Sequence, residues 1–238
     1  DKNIEVINAG VAGYSPLLEY LYLKERGLEL EPNLVIIAFD LTDFLDDIEY
    51  AKQTNYLANE PVSVKPFEPL HQQIYLDHLE NGEQTPNTQK INSFLRKHSM
   101  LFKTLLAPKP QALRISNFFQ PTENQQQEVK KNILLIKTLL EQKNVSLLLV
   151  TYPYQNQLED QKTPKPQLEL ENFALANDIK FLDTTPIFSS YKPQDLYIKY
   201  DLHFSAKGHN ILAQSLTSYL MENNQLKQTN LKMLRLPN

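Results

Sequence analysis

Cysteine is absent from this sequence. That excludes disulfides, thiolate nucleophiles and Cys-ligated zinc or iron–sulfur sites. It says little about compartment, because a chain of 238 residues buries enough core to need no covalent staples. Long apolar runs are also absent. The longest, Leu34 to Phe39 and Leu147 to Val150, are strand-sized, against the ~18 residues of a bilayer span. Membrane association would therefore need a segment outside this chain. Nor does one charge dominate: 24 Lys and Arg stand against 28 Asp and Glu, the net charge is −4, and the basic residues are scattered. Nucleic acid is not expected as a partner.

What remains is an ordinary globular composition, 41% hydrophobic and 22% charged, with mean hydropathy −0.44. The sequence starts at Asp1 and enters a strand-like run almost at once. The natural start, with any signal or anchor segment, is therefore expected upstream, and the compartment, cytoplasmic or bacterial extracytoplasmic, stays open.

Hydrophobic patterning alternates between the periods of strand and helix. Ile4 to Gly10 reads as a short buried strand, and Ser15-Pro16 opens a helix carrying Leu17, Leu18 and Leu21 and ending near Gly27. Leu34 to Phe39 is a continuous apolar run suited to a strand covered on both faces. Thr122 with Gln125 forms a capping box before a helix with Val129, Ile133, Ile136 and Leu140 on one face. Val145 to Thr151 and Ile179 to Asp183 are further strands, with a helix from Leu168 to Ala176 between them and a last helix from Ser205 to about Met221. This order predicts a three-layer α/β/α domain with a parallel sheet over residues 1–221. Residues 51–121 hold seven of the fifteen prolines and read as an insertion or lid with one helix near Phe94 to Leu106. Residues 222–238 read as a loose polar tail.

In a parallel α/β sheet, functional groups collect at the carboxyl ends of the strands. The most specific feature there is Asp201-Leu202-His203. An Asp two residues before a His can accept a hydrogen bond from one ring nitrogen and leave the other as a base. A plain turn cap beside a surface histidine accounts for the same pair. Asp40, Asp43, Asp46 and Asp47 form an acidic strand end. It suits either a divalent cation or a solvated loop with helix-capping aspartates. Phe39-Asp40-Leu41-Thr42-Asp43 is also similar to the nucleophilic strand of haloacid-dehalogenase-type phosphatases, with Thr42 where the second carboxylate belongs. Gly10 and Gly13 do not make a dinucleotide fingerprint, and His71, His78 and His98 have no metal-ligand spacing. No cofactor is expected.

Asp201-Leu202-His203-Phe204-Ser205-Ala206-Lys207-Gly208-His209 resembles the C-terminal Asp/His block of SGNH/GDSL hydrolases, and Asn8-Ala9-Gly10-Val11-Ala12-Gly13-Tyr14-Ser15 resembles their second block. The resemblance covers both ends and the core strands and leaves out the Pro/Gln-rich middle. It implies the flavodoxin-like SGNH fold and ester hydrolysis or O-acyl transfer on a small-molecule or glycan ester. His203 is then the base, Asp201 its orienter, and Gly13 the block-two glycine whose N–H helps form the oxyanion hole. In that family a Gly-Asp-Ser block on an earlier strand carries the nucleophile. No Gly-Asp-Ser and no Gly-x-Ser-x-Gly occurs here. The chain is therefore expected to be a fragment, with the first strand and nucleophile upstream of Asp1. Ser15, followed by proline, reads as a helix N-cap rather than a substitute nucleophile. Asp43 falls where the family has an oxyanion-hole asparagine. An ionised carboxylate only accepts hydrogen bonds. Either Asp43 is protonated, another group donates, or the domain is a non-catalytic module that binds a glycan or a partner.

Overall fold

Three apolar runs pair as one parallel sheet in the computed structural model, which describes residues 4–64, 120–160, 165–199 and 201–223. In chain order the elements are α1 (Pro16–Glu25), β1 (Leu34–Phe39), α2 (Asp43–Ala51), β2 (Thr54–Leu57), β3 (Glu60–Val64), α3 (Glu123–Glu141), β4 (Ser146–Thr151), α4 (Gln155–Glu159), α5 (Gln167–Ala176), β5 (Lys180–Asp183), α6 (Thr185–Phe188), α7 (Pro193–Leu196) and α8 (Ala206–Glu222). The sheet order is β1-β4-β5. Leu34 pairs with Ser146 and Phe39 with Thr151, while Leu148 pairs with Lys180 and Thr151 with Asp183.

Strand side chains alternate between the two faces, and both faces are covered by helices. Ile37, Phe39, Leu147 and Leu149 share one core with Tyr20 and Leu23 of α1, Phe44 of α2, the Val129–Ile133–Ile136–Leu140 stripe of α3 and Leu170 of α5. Leu148 and Val150 point the other way and meet Leu220, Leu216 and Leu212 of α8. The architecture is three-layer α/β/α. The α3 stripe is set by its first turn, where Gln125 N–H donates to Thr122 Oγ1 at 3.3 Å and Thr122 N–H to Gln125 Oε1 at 2.7 Å. Asn144, with φ of 56°, ends that helical stretch in a left-handed turn before β4.

Three expectations need correction. Ile4 to Gly10 is not a strand: the segment has no ladder partner among the described residues, and Ile4, Val6 and Ile7 are 49%, 85% and 51% exposed. Apolar residues favour a strand only where a neighbouring strand takes their backbone groups. Among the described residues β1 is paired on one side only, by β4. Most of the acidic run after β1 is not a solvated loop: Asp43, Asp46 and Asp47 lie buried in α2, and only Asp40 precedes it, half-buried. Residues 54–64 form a β-hairpin whose turn residues Ala58 and Asn59 have φ of 51° and 67°. The helix expected near Phe94 to Leu106, the residues His71, His78 and His98, and the tail beyond Asn223 lie outside the described residues.

Candidate active site

Helix α8 is capped by Ser205, whose hydroxyl accepts the Gly208 N–H at 3.2 Å. The turn just before it carries Asp201 and His203. Their side chains are hydrogen-bonded, ring Nδ1 to Asp201 Oδ1, and the His203 backbone N–H donates to the same oxygen at 2.8 Å. These two bonds, the backbone one first, hold the Asp201 carboxyl below its usual range. An ionised carboxylate can only accept, so Nδ1 carries the proton and Nε2 is the basic nitrogen. The imidazole is open to solvent, its side chain 82% exposed. The turn lies beside the carboxyl end of β4, because the Phe204 ring packs edge-on against Tyr152 with centroids 5.2 Å apart.

The end of β1 is bound to the end of β4 by a second polar group. Asp40 Oδ1 accepts Thr42 N–H at 2.8 Å, the Thr42 hydroxyl at 2.9 Å and the Tyr154 hydroxyl, and Oδ2 accepts the Tyr152 hydroxyl at 3.0 Å. Burial and the Asp40 charge raise both phenols well above the ordinary tyrosine range, so they stay protonated donors. Both Asp40 oxygens thus tie the ends of the two strands together. Asp43 begins α2. Its Oδ2 accepts the Asp40 N–H at 3.0 Å, and the residue is only 4% exposed. Burial first, then the charges of Asp40, Glu19, Asp46 and Asp47, push its carboxyl well above the usual range. The shift favours the protonated acid, and the residue lies buried at the start of α2. Among the described residues no group of three or more His, Asp or Glu side chains is arranged to hold a metal ion.

Gly13 occupies the third place of a turn closed by Tyr14 N–H to Val11 O at 3.1 Å, and its φ of 80° suits glycine. Its carbonyl accepts the Tyr50 hydroxyl at 2.6 Å, tying the turn to α2. Among the described residues no hydrogen bond joins Gly13 to Asp201 or His203. Ser15 stands at the N-cap of α1 with Pro16 after it, as expected, but makes no cap bond with its own helix. Its hydroxyl instead donates to Asp47 Oδ1 at 2.5 Å, and that carboxylate accepts the Leu17 N–H at 2.9 Å and the Asn132 amide at 3.0 Å. Ser15 is 0% exposed, which disqualifies it as a nucleophile. Glu19, next to this group, has a buried Oε2 with no partner among the described residues. Burial and the Asp47 charge raise its carboxyl to about 8.

Comparison with known proteins adds little to this geometry. No family model matches the chain, and no curated protein matches it. A crystal structure of a Bacteroides fragilis NCTC 9343 protein, named as a proposed acylhydrolase, matches over 93% of this chain and 76% of its own, with 15% identity and a TM-score of 0.46. The reading of the site rests on its own residues.

Two features escaped the sequence reading. Nothing local to Tyr152-Pro153-Tyr154 says that both phenols converge on Asp40. The Asp47 node had a signal: Asn132 interrupts the apolar stripe of α3, and a buried amide needs a polar partner.

Proposed function

We propose that this chain supplies the acid–base half of an SGNH/GDSL-type serine hydrolase acting on ester bonds, by hydrolysis or O-acyl transfer, with the nucleophile on a Gly-Asp-Ser block outside these 238 residues. The observation that carries the reading is the Asp201–His203 pair, with Nδ1 engaged and the imidazole open beside the carboxyl end of a parallel sheet. In the reaction His203 Nε2 takes the serine proton as Oγ attacks the acyl carbon. Asp201 holds the tautomer and stabilises the imidazolium. The tetrahedral oxyanion is met by the Gly13 N–H and by Asp43. In its protonated form the Asp43 carboxyl has an O–H to donate where the family has an asparagine amide. The imidazolium then protonates the leaving alkoxide, and water or an acceptor alcohol repeats the sequence on the acyl-enzyme. The substrate is a small-molecule or glycan ester.

One observation favours a second reading, a non-catalytic module that binds a glycan or a partner. Among the described residues no serine hydroxyl is hydrogen-bonded to the His203 ring. The deciding experiment measures hydrolysis of a small activated acetate ester by this chain and by one extended upstream by one strand and helix. The expected result is no turnover by the 238 residues and turnover by the extended chain that falls at least about a thousandfold in His203→Ala. No turnover by the extended chain would favour the binding module instead, and turnover indifferent to His203 would overturn the acid–base reading.

A further inference from the structure

The exposed imidazole of His203 is not held by burial. What holds it is the turn. Ile198 N–H donates to His203 O at 2.9 Å and Ser205 N–H to Leu196 O at 2.8 Å, around an isolated antiparallel bridge between Tyr197 and Phe204. Both members of that bridge are fastened to the segment leaving β4. The Tyr197 hydroxyl donates to Pro153 O at 2.5 Å, and the Phe204 ring lies against the Tyr152 ring, with Phe188 packed on it as well. Tyr152 is itself oriented by its hydroxyl bond to Asp40, beyond the end of the neighbouring strand. A continuous physical link therefore runs from the end of β1 through Tyr152 and Phe204 to the turn bearing the dyad.

We infer that Tyr152 is a positioning residue for His203: its hydroxyl, anchored on Asp40, fixes the ring against which Phe204 seats, and so sets the turn in which Asp201 reaches Nδ1. The functional meaning rests on the reading of His203 as a base, but the arrangement is a property of the imidazole that can be read without any turnover. A half-buried phenol that lost its acceptor would turn toward water or another partner. The hydroxyl bond therefore gives the ring one seating rather than several. Half-buried and adjacent to the Asp40 charge, the phenol remains protonated across the working pH range and the anchor does not titrate away.

The test is nitrogen-15 NMR of the histidine rings at about pH 8, together with amide exchange at Ile198 and Ser205. The proteins compared are the 238-residue chain, Tyr152→Phe, Phe204→Leu and, as a control, Tyr20→Phe, whose hydroxyl bonds Glu60 elsewhere. The parent protein is expected to hold His203 in the Nδ1–H tautomer. Tyr152→Phe keeps the ring and loses only the anchor. It should shift His203 toward the Nε2–H tautomer and speed exchange at Ile198 and Ser205 by about tenfold, the worth of a hydrogen bond to a charged group. Phe204→Leu should do the same from the other end of the link, and Tyr20→Phe should do neither. Unchanged tautomer and exchange in both Tyr152→Phe and Phe204→Leu would overturn the inference. So would an equal change in Tyr20→Phe, which would mean general loosening. A His203-independent esterase would defeat the functional reading while leaving these ring signals as expected.

Discussion

Asp47 on α2 caps a helix that is not its own: its Oδ1 accepts both the Ser15 hydroxyl at 2.5 Å and the Leu17 N–H at 2.9 Å at the start of α1. Its Oδ2 takes the Asn132 amide of α3 at 3.0 Å, so one carboxylate joins three helices on one face of the sheet. Removing it leaves a buried hydroxyl, an orphaned N–H and a buried amide without partners. Asp47→Ala is expected to lower stability by about 3 kcal/mol and Ser15→Ala by about 1 kcal/mol. Urea unfolding monitored by circular dichroism measures both. Equal, small losses would show that the node does not join the helices.

Stability should fall as pH rises from about 4 to 8. Burial raises Glu19 to about 8 and Asp47 to about 6, against ordinary values of 4.5 and 3.8. The folded state therefore binds protons that the unfolded state has released, and in that window unfolding becomes easier with each step upward in pH. The groups facing this cluster are Asp43, Asp46 and Tyr50 of α2, Asp40 beyond β1, and Glu128 of α3, none of them cationic. Glu19→Gln should flatten the profile and raise the melting temperature at pH 8 by several degrees, about 2–4 °C for each kcal/mol regained. A melting temperature that climbs between pH 5 and 8 in the parent protein would contradict this.

Alanine in place of glycine ordinarily stabilises a helix by about 1 kcal/mol. At Gly208 the sign should reverse, because a Cβ there would stand 2.2 Å from Leu196 O and 3.0 Å from the Phe204 ring. Leu196 O is the acceptor of the Ser205 N–H, so the clash falls on the turn that carries His203. Gly208→Ala is expected to cost about 2 kcal/mol or more. Chemical denaturation reads the loss, and the His203 ring signals should shift with it.

In an extended, active protein, Asp43→Asn should preserve or raise ester turnover. The neutral acid and the amide both offer a donor, and the amide cannot ionise as pH rises. The Asn variant should also hold its activity to higher pH, since deprotonation of Asp43 would place a charge beside the oxyanion. A loss of tenfold or more in kcat/KM would show that the carboxylate itself acts.

The order of strands and helices was legible because each core element carries its own period. Leu34–Phe39, Val145–Thr151 and the Val129–Leu140 stripe declare strand, strand and helix without reference to partners. The Asp201–His203 pair was legible for the same reason, since its members are two residues apart and meet within one turn. Ile4–Gly10 shows the limit: its apolar residues satisfy a strand pattern, but a strand exists only with a neighbour to take its backbone groups, and that is decided by the sheet as a whole. Long-range polar contacts were hidden for a related reason. Tyr152 and Asp40 are 112 positions apart, and Asn132 and Asp47 are 85 apart. No local spacing encodes either meeting. The sequence by itself determined the alternating elements, the parallel class and the dyad. Only the packing of α1, α2 and α3 on the sheet decided that Asp43 and Asp47 are buried and that Ser15 is a structural hydroxyl, because burial and charge environment belong to the assembled core rather than to any stretch of chain.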